Sequence, residues 1–215
     1  MNESNTFKQF THSDFTVAAR DIKYQGFFRV DQYHLKHKLF NGDWGQLISR
    51  EIFERGDAVV LIPYDPVNNT LILIEQFRPG AIRTEECPWM LEFIAGMFAE
   101  NESPVEVAIR EAEEEANLLI AKSQMQHVMN YLSSPGGTSE KLYMYVACVD
   151  LTDFIDGTIS GLADENEDIK SHLMSLEDAL THLNNGRISN ASTIIGLQWL
   201  ALNSRSLAFT TGNQL

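Results

Sequence analysis

Four glutamates, Glu111, Glu113, Glu114 and Glu115, stand within five residues of a stretch that reads as one helix. Like charges at helical spacing repel, and acids near a helix C-terminus oppose its dipole. Most such runs are solvated acidic faces. Here Arg110 is the one nearby cation, so little offsets the repulsion locally. Glu111 and Glu115 lie one turn apart, separated by about 6 Å of axial rise. Two carboxylates so placed suit hard divalent cations, and oxygen-only ligands favour Mg²⁺ or Mn²⁺ over Zn²⁺.

The element that must hold them announces its own ends. Ser103 is a cap, Pro104 fits the first helical position, and Glu106 completes a capping box. The spacing predicts a helix over about 104–116, with Val105, Ala108, Ile109, Ala112 and Ala116 on the core face and the acids opposite. Ahead of it, the apolar run Ala58–Pro63, a turn at Asp65–Asn69 and a second run from Thr70 to Gln76 predict two paired strands. A strand at Tyr143–Val149, a loop at Gly161–Asp168 and two helices follow. The first helix is capped by Ser175 and ends near Gly186; the second starts near Asn190. Strands and helices mix without strict alternation, which indicates an α+β or three-layer arrangement.

Residues 1–55 differ in character. Gln25–Leu35 reads as a strand, Asn41-Gly42-Asp43 as a hairpin turn and Gly45–Phe53 as the returning strand. This segment is expected to be a small antiparallel β-domain with too little core to stand alone. Residues 56–210 are expected to form the main domain.

Composition narrows the classes. The chain has 215 residues, 44% hydrophobic and 21% charged, as expected of a globular protein. A formal net charge of −14 leaves no cationic excess to neutralise phosphates along a nucleic acid. Cys87 and Cys148 have no metal or disulfide spacing and are expected to be free thiols. The polar start Met1-Asn2-Glu3-Ser4-Asn5 lacks a secretory pattern, and no apolar run approaches a membrane span, so a cytoplasmic protein is expected.

The pattern Gly96, five residues, Glu102, seven residues, Arg110-Glu111-Ala112, one residue, Glu114-Glu115, one residue, Asn117-Leu118 resembles the Nudix box. The single departure is Asn117, where the family has Gly. Asn is the commonest substitute where a helix end needs left-handed backbone. Further segments extend the resemblance toward bacterial ADP-ribose pyrophosphatases. They are Glu51-Ile52-Phe53-Glu54-Arg55-Gly56, Pro88-Trp89-Met90-Leu91-Glu92, Ser134-Pro135-Gly136-Gly137-Thr138-Ser139-Glu140 and the acidic loop Gly161–Asp168. GDP-mannose hydrolases share part of this pattern.

The resemblance implies a Nudix α/β/α sandwich with a small N-terminal β-domain, and Mg²⁺-dependent hydrolysis of ADP-ribose to AMP and ribose 5-phosphate. It implies metal ligands at Ala95 (by its carbonyl), Glu111, Glu114, Glu115 and Glu167, and a general base at Glu165. Substrate contacts are implied at Phe27, Phe28, Arg50, Glu51, Arg55, Arg78, Met97, Ser134, Pro135, Gly136 and Glu140. It also implies a homodimer with a swapped N-terminal domain. A silent module that senses ADP-ribose would have to have lost a metal carboxylate or the base, and neither is lost.

Overall fold

The computed structural model describes residues 10–84, 87–98, 101–163 and 166–209. The chain divides into two compact units. The smaller runs to Gly56 and takes back Leu132–Glu140; the larger comprises Asp57–Tyr131 and the chain from Lys141 onward.

The smaller unit is a three-stranded antiparallel sheet, β1 (Phe15–Gln25), β2 (Arg29–His37) and β3 (Ile48–Glu54), in that order. The Asn41–Asp43 turn stands where the sequence places it. Asn41 Oδ1 accepts the Asp43 N–H at 3.0 Å, and Gly42 adopts φ +101°. The strand expected from Gln25 to Leu35 is instead a turn at Gly26–Phe28 followed by β2. The returning strand begins at Ile48, three residues later than expected. Strand β1 has no counterpart in the sequence reading. All eleven of its residues are exposed, so no buried face imposes a period of two.

With little apolar core, this unit is tied by charge. Buried Asp31 receives Arg20 and Arg29, the latter at 3.0 Å. Glu54 accepts from Arg20 at 3.2 Å, Tyr33 at 2.8 Å and Ser139 at 2.5 Å. Segment 132–140 is stitched to the end of β3. The Phe53 N–H donates to the Gly137 carbonyl at 2.8 Å, and the Thr138 hydroxyl to the Phe53 carbonyl at 3.0 Å.

The larger unit holds an eight-stranded mixed sheet. Its strands are β4 (Ala58–Asp65), β5 (Thr70–Phe77), β6 (Trp89–Glu92), β7 (Ile94–Met97), β8 (Met125–Leu132), β9 (Lys141–Cys148), β10 (Ile159–Ser160) and β11 (Ile169–Ser175). The path is β10-β11-β5-β4-β9-β8, with β6 paired to β5 and β7 to β4. Strand β4 is buried along all eight residues and runs parallel to β9. That explains why its sequence is a continuous apolar run rather than an alternation.

Both faces of the sheet are covered. Val59, Leu61, Ile72 and Ile74 pack with Val107, Ala108, Ala112 and Ala116 of α1 (Pro104–Ala116). Val60, Ile62, Leu71 and Leu73 pack with α2 (Leu176–Asn184) and α3 (Ala191–Asn203) through Leu176, Ala179, Leu197 and Leu200. Each fully buried Leu or Ile contributes about 1.5–3 kcal/mol. This is the three-layer α/β/α arrangement expected of the larger unit. Helix α2 is capped by Ser175 as expected but ends at Asn184, short of Gly186; α3 is capped by Asn190.

The turn after β4 is organised by Asp65, which is wholly buried. Its carboxylate accepts N–H groups of Val67 and Asn68, the Asn68 side chain and, from beyond β9, Leu151 at 3.2 Å. Burial pushes its pKa up, but these donors outweigh it and hold the carboxyl below its ordinary value.

Candidate active site

Helix α1 begins and ends where the sequence predicts. Ser103 and Glu106 form the reciprocal capping box, and Asn117 closes the helix in the left-handed region at φ 50°, ψ 35°. Its rotation differs from the expected one. The buried stripe is Val107, Ala108, Ala112, Glu115 and Ala116, with Val105 and Ile109 only part-buried. Val107, Glu111 and Glu115 form one i, i+4, i+8 row, so the carboxylates continue a core row instead of opposing it. Glu115 is only 2% exposed.

Strand β7 lies against that row. The Ala95 N–H donates to Glu115 Oε2 at 3.1 Å. Ala95 stands opposite Val60 in an antiparallel pair. Residues so paired exchange both backbone bonds or neither, so the Ala95 carbonyl shares the edge of its N–H, away from β4. Next to it, Gly96 admits Glu111. A Cβ at Gly96 would stand 1.8 Å from Glu111 Oε1 and 2.3 Å from its Cγ.

The electrostatics follow from this packing. Burial pushes the Glu111 carboxyl up to about 7; Arg110 opposes the rise while Glu114 and Glu167 add to it. Burial also raises Glu115 well above the usual range, with the Glu111 charge next in weight and the Ala95 N–H and Arg78 opposing. Arg110 binds the surrounding acids, reaching Glu111 at 2.8 Å, Glu114 at 2.9 Å and Glu102 at 3.1 Å, while its other nitrogen approaches the Met97 carbonyl at 3.4 Å. Burial disfavours the Arg110 charge, but these carboxylates outweigh it and raise the Arg110 pKa above its ordinary value.

The donor set fits a hard divalent cation. Two carboxylates whose charges burial disfavours share one row, beside a strand edge that carries a free-facing carbonyl. Among the described residues no three His, Cys, Asp or Glu side chains close around a single point. Glu111 and Glu115 are the carboxylates of that row, with the Ala95 carbonyl beside them. Glu167 contributes its charge to both. Glu114 points instead to Arg110. Arg78 is held by Glu92, a residue that the sequence reading quoted only within a motif. Glu165, the expected base, lies outside the described residues.

The remaining expected substrate contacts belong to the smaller unit. The structure gathers four of them. Phe27 and Phe28 meet edge to face at 4.7 Å, the Arg55 guanidinium lies 5.4 Å from the Phe28 ring, and Arg55 pairs with Glu140 at 3.3 Å. Phe53 joins this group, 5.1 Å from Phe28. Ser134, Pro135 and Gly136 are exposed in the segment that leads to Glu140. Arg50 and Glu51 are exposed neighbours on β3 and so point to opposite faces of that sheet. Glu51 shares the face of Phe53, and Arg50 that of Glu54.

A sequence model described as NUDIX domain matches residues 54–194, about two thirds of the chain. The chain belongs to this family. Among its relatives, the ADP-ribose pyrophosphatase of Escherichia coli K12 is 48% identical over 198 residues, covering 92% of this chain and 93% of that protein. The ADP-ribose pyrophosphatase of Haemophilus influenzae is 38% identical over 208 residues, covering 95% and 94%. A solved structure described as an ADP compounds hydrolase superposes with a TM-score of 0.61 at 22% identity, covering 92% of this chain and all of that one. At that identity it attests the fold alone, and the fold is the expected Nudix one. Among the described residues no helix is long and apolar enough to cross a membrane.

Proposed function

We propose that this Nudix protein hydrolyses ADP-ribose at its pyrophosphate bond, giving AMP and ribose 5-phosphate. The observation that carries the reading is the Glu111–Glu115 row packed against β7, part-buried at Glu111 and buried at Glu115. The substrate class comes from relatives such as the 48% identical ADP-ribose pyrophosphatase, aligned over most of both chains.

Glu111, Glu115 and the Ala95 carbonyl would hold Mg²⁺ or Mn²⁺, with Glu167 and Glu114 near. A bound divalent cation supplies charge neutralisation for the diphosphate and for the water that attacks it. The chain's own groups do the rest. The water oxygen bonds to phosphorus, the bridging P–O bond breaks, and Glu165 takes the water's proton. Arg78, fixed by Glu92, offers a fork for a phosphate oxygen. Met97 supports the same end of the substrate. In the smaller unit, Phe28 and Phe27 present ring surface for adenine, with Arg55, Glu140, Arg50, Glu51 and the Ser134-Pro135-Gly136 backbone as polar contacts.

Residues 1–55 act as the dimerisation and substrate-contacting domain and 56–210 as the hydrolase domain, in a cytoplasmic homodimer with swapped N-terminal domains. The full exposure of β1, with Val17, Ile22 and Tyr24 bare, favours a second copy of the chain as its cover.

The test is a panel of nucleotide sugars assayed with Mg²⁺, products identified by mass. Cleavage of ADP-ribose to AMP and ribose 5-phosphate, abolished by chelator, is expected. A clear preference for GDP-mannose would overturn the substrate assignment.

A further inference from the structure

Asn117 departs from the glycine of the box, and the structure shows it doing more than ending a helix. Its backbone is left-handed, at φ 50°, a conformation open to Gly, Asn and Asp. Its side-chain Nδ2 donates to Ser160 Oγ at 2.9 Å, at the end of β10. The next residue, Gly161, donates its N–H to the Glu114 carbonyl in the last turn of α1 at 3.1 Å. Two adjacent bonds thus join the C-terminal end of the metal helix to one point of the chain.

That point leads directly to Glu167. Gly161 has φ +106°, and a Cβ there would stand 2.8 Å from Glu167 Cβ and 3.0 Å from its carbonyl oxygen. Leu162 donates its N–H to Glu167 Oε2 at 3.3 Å, and the Glu167 N–H donates to the Leu162 carbonyl at 3.1 Å. The path Asn117–Ser160–Gly161–Leu162–Glu167 is continuous contact. At its end stands a carboxylate whose charge acts on both Glu111 and Glu115.

We infer that Asn117 is a positioning residue, whose side chain pins Ser160 and Gly161 to the end of α1 and so sets Glu167 against the Glu111–Glu115 pair. Glycine would allow the backbone but offers no donor. Aspartate would add another carboxylate to a turn already holding Glu113, Glu114 and Glu115. Asparagine alone supplies both left-handed backbone and a neutral N–H. The inference rests on the functional reading only for its kinetic readout.

The test compares Asn117→Gly, Ser160→Ala, their double variant and Ser160→Thr, which keeps the hydroxyl. Three quantities are read: amide exchange at Gly161 and Leu162 by NMR, Mn²⁺ affinity by electron paramagnetic resonance, and steady-state kinetics on ADP-ribose. Loss of one neutral hydrogen bond sets the scale. Asn117→Gly and Ser160→Ala should each speed exchange and weaken Mn²⁺ binding about 3- to 10-fold. Each should lower kcat by about as much with KM unchanged, and the double variant should be no worse than either. Ser160→Thr should stay near wild type. Wild-type exchange in the single variants, additive losses in the double variant, or faster exchange with Mn²⁺ affinity intact would each overturn the inference. A wild-type chain that cleaves no nucleotide sugar would overturn the functional reading alone; exchange and Mn²⁺ affinity would still decide the role of Asn117.

Discussion

Gly96→Ala tests the central packing argument with one methyl group. The added Cβ would stand 1.8 Å from Glu111 Oε1, 2.1 Å from its Cδ and 2.3 Å from its Cγ. Ordinary contact between such atoms begins near about 3.5 Å, so the pair must part by more than about 1 Å. Two responses are open. The Glu111 side chain can swing away, leaving Arg110 and the row it shares with Glu115. Otherwise α1 can lift from β7, disturbing the contacts of Val107, Ala108 and Ala112. The first is the easier, because only a side chain moves. Overpacking of this kind typically costs about 1–3 kcal/mol, and a side chain free to swing belongs near the lower end. A 1 Å misplacement of a reacting group can cost about 10²-fold in rate. The expected result is a melting temperature lowered by about 2–4 °C, a kcat/KM on ADP-ribose lowered about 10²-fold, and a weaker shift in melting temperature on adding Mg²⁺. The assays are differential scanning fluorimetry with and without Mg²⁺ and steady-state kinetics. A variant within threefold of wild type in kcat/KM, with its Mg²⁺ shift intact, would refute the claim that Gly96 is there to admit Glu111.

Three further outcomes follow from the geometry. Glu111 has its folded pKa raised from 4.5 to about 7, so it contributes stability in full below about pH 4.5 that is lost as pH rises through about 7. Metal-free protein should therefore lose about 1–2 kcal/mol over that window beyond what Glu111→Gln loses, after allowance for solvent screening, and saturating Mg²⁺ should remove the difference; parallel pH profiles in denaturant melts would contradict this. Asp65→Ala leaves the N–H groups of Val67, Asn68 and Leu151 without their acceptor, and should cost about 2–4 kcal/mol, or about 5–15 °C by calorimetry, with kcat unchanged; a loss under 0.5 kcal/mol would mean the turn does not depend on it. Light scattering should give about twice the 24.3 kDa chain mass, and a monomer that still turns over ADP-ribose would exclude the swapped dimer.

The ends of α1 could be read from sequence because capping is local chemistry: Ser103, Pro104, Glu106 and Asn117 act within one turn of themselves. Its rotation could not. Val105 and Val107 are equally apolar, and only contact with β4 and β7 selects Val107 for the core. That choice turns Glu111 and Glu115 inward, so acids expected opposite the core face are part-buried at Glu111 and buried at Glu115. That the two carboxylates share a side was still readable, since i, i+4 spacing survives any rotation of the helix. Strand β1 was missed for the opposite reason: fully exposed, it carries no burial period, and only pairing with β2 defines it. The four-residue strands β6 and β7 are too short to show one. That Glu92 on the neighbouring strand holds Arg78 could not be read from sequence, because that contact exists only once β5 and β6 pair.

The parallel pairing of β4 with β9 also has a consequence for the nascent chain. Strand β4 ends at Asp65, but its parallel partner begins at Lys141, about 75 residues later. At a synthesis rate of about 5–20 residues per second, roughly 4–15 s pass between the emergence of one and of the other. Throughout that delay Ala58-Val59-Val60-Leu61-Ile62 leaves one row of backbone donors and acceptors open beside an uncharged, β-branched surface. Such a segment invites strands from other chains. The ribosome and its attendant chaperones therefore meet this enzyme first as a sticky unfinished sheet, and the pace of translation between the two strands bears directly on how much of it reaches the folded state.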